Sequence, residues 1–194
     1  SAFITTKPLI DNSDPFSALA FRFSIVTLGF LFFSIYQNQK ILISKKNFIE
    51  SFLSGVLFHG LYLGGVFFSI SKGMPTGIAA LIVTLQPILT NALSGPILNE
   101  KVTIKQWVGV ILGFSGAALV LGFDIGSDIP FIGFVATVIA LIAITSSTIW
   151  QKKLSNNLPL SVSNFYQAIG GCFFHTLIVI FFSKAFIDFT PTFL

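Results

Sequence analysis

The sequence predicts an all-α fold, a polytopic bundle of helices embedded in a membrane. Of its 194 residues 54% are hydrophobic and only 9% charged, where a soluble domain carries about 25% charge. Uncharged runs of 21, 27 and 18 residues separate Glu50 from Lys72, Lys72 from Glu100, and Lys105 from Asp124. A helix rising ~1.5 Å per residue needs about 20 apolar residues to cross a hydrocarbon layer of roughly 30 Å, and each run approaches or exceeds that length. The charges fall in short stretches between the runs, as in NEKVTIKQ. A net charge of +4 distributed over such loops reads as a topology signal and not as a nucleic-acid surface, which gathers its basic residues on one face. The single Cys172 excludes an internal disulfide or a cysteine metal site.

Taken in order, Ser1 to Pro8 reads as the far end of a span already under way. The first complete span runs from Phe16 to Tyr36, entered through DNSDP, where Asp14 suits an N-cap and Pro15 a first helical position. Arg22 lies about two turns inside, so its stem either snorkels to the interface or holds an internal contact. The second span fills the run after Glu50, and its Gly60 and Gly64 form a small-xxx-small step that lets a neighbouring helix approach closely. The third and fourth make a hairpin about NEKVTIKQ. Pro87 removes the amide that would reach the Val83 carbonyl and clashes with it, so the third span either opens towards a cavity there or bends. The fourth carries Gly109, Gly113 and Ala117 at four-residue intervals, a second expected packing face. Residues 130 to 151 give a fifth span and Val162 to Ser183 a sixth.

The hairpin carries a resemblance. Pro87, Pro96, the run Leu98, Asn99, Glu100, Lys101, and then Gln106, Trp107, Val108 and Gly109 resemble the hallmark segment of the EamA family of the drug/metabolite transporter superfamily. The resemblance implies two halves of five helices, residues 1–123 being the first with its opening helix truncated and 130–194 the start of the second, with three more helices beyond Leu194. It also implies a carrier of amino acids, related metabolites or drugs, exporting them from the cell. The residues add to this. PFSALAFRF at 15–23 and PLSVSNFYQ at 159–167 share Pro, Ser and Phe at an offset of 144 residues that holds five spans, so the second copy enters from the opposite side, as in the inverted repeats of secondary transporters.

Loops 36–50, 99–105 and 151–158 hold seven lysines, and the other face holds Lys7, Arg22, Lys72 and Lys184. The positive-inside rule places the former in the cytoplasm of a cell, inner-membrane protein. No carboxylate lies within a span core, and no phosphate loop, nucleophile elbow or metal-binding pattern occurs, so no cofactor is expected. The candidate substrate-binding set is His59, Tyr62, Gln86, Asn91, Ser147 and Trp150, with Arg22, Pro87 and Glu100 as structural or gating residues. Buried amides without partners cost several kcal/mol in hydrocarbon, so Gln86 and Asn91 face protein or water. Tyr62 and Trp150 offer flat walls to an organic solute. Glu100 pairs with Lys101 or Lys105, or caps the following helix.

Two other classes compete with a secondary carrier of small organic solutes. A structural or assembly protein predicts spans packed without a central void. A membrane-embedded enzyme requires His59 and His175 to converge, and without convergence each is a hydrogen-bonded structural histidine.

Overall fold

The computed structural model describes residues 14–98, 102–121, 129–154 and 158–182. Among them all the regular secondary structure is helical: α1 (Pro15–Tyr36), α2 (Lys45–Ser71), α3 (Thr76–Val83), α4 (Gln86–Leu98), α5 (Ile104–Leu121), α6 (Phe131–Leu154) and α7 (Leu160–Phe182). Five stretches are long and apolar enough to cross a membrane, α3 and α4 counting together as one; α5 is apolar and shorter. The six spans expected from sequence are therefore five long helices and one short one.

Local chemistry sets the ends. The Asp14 carboxylate accepts from the Ser17 amide at 2.8 Å, and Pro15 opens α1, as an N-cap followed by proline requires. Thr103 and Gln106 start α5 with a reciprocal capping box: Gln106 Oε1 accepts from the Thr103 amide at 2.7 Å, and the Gln106 amide donates to Thr103 Oγ1 at 3.4 Å. Glu100 lies outside the described residues.

The third span breaks where Pro87 forces it to. Helix α3 stops at Val83, Thr84 and Leu85 form a turn, and α4 resumes at Gln86. Helix α2 is irregular in a different way: Val56–Tyr62 winds as π-helix between two α-helical segments, a departure often found at functional sites.

Helix α2 is the centre of the bundle, packed on α1, α6 and α7. On its α7 side the contact is backbone to backbone. A methyl group at Gly55 would collide with the Gln167 main chain, and one at Gly170 with the Phe52 carbonyl. This is how helices associate in lipid, where small residues and close packing replace water expulsion as the driving force. On the α6 side hydroxyls join the helices. Ser69 Oγ donates to the Gly133 carbonyl at 2.7 Å, and Ser147 Oγ donates to the Ser54 carbonyl at 3.0 Å with Ser54 Oγ 3.1 Å away.

Helices α1 and α7, which carry the two similar nonapeptides, lie against each other and run antiparallel. Phe16 meets His175, Ser24 meets Cys172, and beyond the end of α1 the Tyr166 hydroxyl donates to the Ile41 carbonyl at 3.1 Å. The outer faces of the helices remain apolar, with Phe32, Ile35, Leu112, Leu119, Ile180 and Phe182 exposed. Such a surface suits hydrocarbon and not water.

Candidate functional site

The break between α3 and α4 opens onto a groove of about 880 Å³ bounded by α2, α3, α4, α5 and α6. Its walls bring together four of the residues singled out from sequence, Tyr62, Gln86, Pro87 and Asn91. Tyr62 comes from the last position of the π-helical stretch, and Gln86 and Pro87 from the restart of the broken span. Gln86 reaches across to α6, where its Nε2 donates to Thr148 Oγ1 at 3.2 Å; that hydroxyl donates in turn to the Ile144 carbonyl at 2.8 Å. The bond fixes the Gln86 amide and leaves its carbonyl oxygen as an acceptor. Asn91 follows at the fifth position on from Pro87, counting both, one helical turn further along the same wall.

The fourth wall is α5, and here the expectation from sequence is corrected. Gly109, Gly113 and Ala117 do not pack against a helix: they line the groove, and a methyl group built on either glycine meets no atom within 4 Å. The four-residue spacing of small residues widens a cavity here, while at Gly60 and Gly64 it admits the side chains of Phe174, His175 and Phe16. Phe114 and Ile144 supply apolar wall on either side.

The remaining candidates lie elsewhere. Ser147 is fully buried in the hydroxyl cluster with Ser54 and also accepts from Gln151 Nε2 at 3.2 Å, so it joins α2 to α6 and does not line the groove. Trp150 is half-buried and is absent from the groove wall. Arg22 is exposed on α1.

His59 faces α7, where it converges with His175 about Phe23, whose ring centroid is 4.7 Å from one imidazole and 5.8 Å from the other. His175 Nε2 lies 2.8 Å from the His59 carbonyl oxygen. A carbonyl only accepts, so His175 carries a proton on Nε2. The two rings thus do come together, but through one ring and one main-chain group. Among the described residues no group of three His, Cys, Asp or Glu side chains could hold a metal.

Sequence reasoning singled out Asn91 but passed over Thr90 and Ser94, which with Asn91 and Leu98 recur at helical spacing along α4 and line a second, smaller cavity of about 120 Å³ together with Gln106 and Thr148. The three- and four-residue spacing of hydroxyls and amides after Pro87 was the available signal.

A bundle of apolar helices around a groove with a few inward neutral polar groups suits a membrane protein with an internal cavity. The comparisons give the family. The chain belongs to the EamA-like transporter family, whose model matches residues 1–122. It is 28% identical over 184 residues to the uncharacterized transporter YetK of Bacillus subtilis, covering 90% of this chain and 54% of that one. It is 26% identical over 131 residues to the uncharacterized transporter YvbV of the same organism, covering 63% of this chain and 41% of that one. A Salmonella typhimurium protein named "Probable amino-acid metabolite efflux pump" is 30% identical over 95 residues, 48% of this chain and 32% of that one. The chain spans about half the length or less of these relatives.

Proposed function

We propose that the complete protein is a secondary carrier that exports small organic metabolites, amino acids or their relatives among them, by alternating access, with the α3–α4 groove as the solute path. The observation that carries this reading is the groove itself, a cavity of about 880 Å³ built on a proline-broken helix and carrying both apolar and amide groups. Irregular backbone at membrane depth is stable only where protein or a cavity surrounds it. A purely structural bundle has no use for such a void. The efflux named for the Salmonella relative supports the direction.

On this reading residues 1–123 and 130–194 belong to two inverted repeats, and the antiparallel contact of α1 with α7 supports that arrangement. The excess of lysine in loops 36–50, 99–105 and 151–158 supports a cytoplasmic position for them in a cell, inner-membrane protein. Inside the groove Tyr62, Gln86 and Asn91 contact solute, and Pro87 keeps the two half-helices separate. His59, Ser147 and Trp150 support the helices from outside it.

The test is flux. Liposomes containing the complete protein and loaded with a panel of labelled amino acids and apolar metabolites should release at least one of them saturably. Release no faster than from protein-free liposomes for every member of the panel would refute the carrier.

A further inference from the structure

Helix α2 is pinned to α6 on both sides of its π-helical stretch, by Ser54 against Ser147 before it and by Ser69 against the Gly133 carbonyl after it. Between these pins Val56–Tyr62 winds as π-helix, and the chain returns to α-helix at Leu63. Such a return leaves the main chain one donor short. The last i→i+5 bond takes the amide that the next carbonyl would have used in an α-helix, so a carbonyl near the end of the stretch needs a donor from elsewhere. His175 of α7 supplies one, its Nε2 donating to the His59 carbonyl oxygen at 2.8 Å. The ring is fully buried and its Nδ1 has no hydrogen-bond partner among the described residues, so this is the one bond the imidazole makes among them.

The winding also decides which way side chains point. His59 turns to the α1 and α7 side, where the Phe23 ring centroid is 4.7 Å from its own and a methyl group on Gly171 would strike its Cβ. Tyr62, three residues on, lines the groove. On an α-helix residues three apart share a face, and the wider turn of π winding separates these two. We infer that His175 is a positioning residue of the groove: its imidazole N–H holds the His59 carbonyl out of α-helical register, and the π winding so maintained turns Tyr62 into the solute path. Without that donor the stretch tightens to satisfy the carbonyl from its own backbone, and Tyr62 swings towards the face of His59. The inference rests on the carrier reading for what Tyr62 does in the groove, and not for where Tyr62 stands.

Two variants separate positioning from packing. His175→Phe keeps a ring against Phe23 and removes the donor, and His175→Gln keeps a side-chain N–H of similar reach. The complete protein is labelled with fluorotyrosine in detergent, and the Tyr62 resonance is identified by its loss in Tyr62→Phe. His175→Phe should shift that resonance and leave the one from Tyr36, at the far end of α1, in place; His175→Gln should return it to the parent position. A lower melting temperature with Tyr62 unmoved makes His175 a packing residue and overturns the assignment, as does a Gln variant that behaves like the Phe variant. The parent protein gives a check that needs no variant to fold: nitrogen NMR of isotope-labelled histidine should find the His175 proton on Nε2, and a proton on Nδ1 overturns the assignment. Flux of the labelled amino-acid panel is read beside these. Half-saturating concentrations about fivefold higher in His175→Phe, the ratio that one hydrogen bond of about 1 kcal/mol supplies, support both readings. A shifted Tyr62 in a protein that moves no solute sinks the carrier and leaves the positioning role, and parental flux with Tyr62 unmoved does the reverse.

Discussion

Some polar side chains in the bundle fasten helices together and others line the groove, and the two roles answer differently to substitution. Ser147 is a fastener, bonded to Ser54 and fully buried. Ser147→Ala is expected to lower stability by about 1 kcal/mol, in the range of interhelical hydrogen bonds within membranes, read as a fall in the melting temperature in detergent with solute affinity unchanged. Gln86 does both jobs, holding Thr148 while presenting its carbonyl oxygen to the groove. Gln86→Leu should therefore reduce both melting temperature and flux, and Thr148→Val should reduce the melting temperature with a smaller effect on flux. That Gln86 and Asn91 would avoid lipid was legible in the sequence, because an unpaired amide in hydrocarbon is expensive. That Ser147 would be engaged by Ser54 was not. Its partner lies 93 residues away, and nothing local to a serine in an apolar helix announces which face it occupies.

Glycine shows the same division among the helices. Gly170 on α7 sits against the Phe52 carbonyl of α2, whereas Gly113 on α5 faces open space. Gly170→Ala is expected to push two backbones apart and cost several kcal/mol, as overpacking at a closed contact does, so that the variant melts far lower or does not purify as a folded protein. Gly113→Leu should melt like the parent, since nothing stands where its side chain would go. Both glycines occur in apolar spans among other small residues, so the sequence presents them as equivalent packing faces. A helix in lipid is apolar all round and has no polar face to mark which side is inward. The positions that could be read were those where the backbone itself is constrained. Asp14 and Pro15 begin α1, and Pro87 ends one helical segment and starts the next. The π-helical stretch of α2 could not be read, because contacts with two neighbouring helices accompany it and no breaker residue marks it. Pro87→Ala supplies the missing amide and should fuse α3 with α4. The expected outcome is a protein at least as heat-stable as the parent, with flux reduced because the two half-helices no longer bend independently.

At the level of the assembled bundle, the hydrophobic runs and their spacing were enough to foresee a polytopic helical membrane protein, and the resemblance of the hairpin segment from Pro87 to Gly109 pointed to the EamA family. The groove was only partly foreseen. Tyr62, Gln86, Pro87 and Asn91 meet in it, but its fourth wall comes from glycines expected to be packed against a neighbour. Topology can be checked with single cysteines placed in a Cys172→Ser background. A cysteine at Asn38 should react with an impermeant maleimide only from the cytoplasmic side, and one at Lys72 only from the opposite side. The solute path itself is tested by saturable flux through liposomes containing the complete protein, compared with its Gly113→Leu variant. If the groove is the path, the variant purifies with the parent's melting temperature and its flux falls to the level of protein-free liposomes. A folded Gly113→Leu variant that transports as fast as the parent would show that solute travels elsewhere.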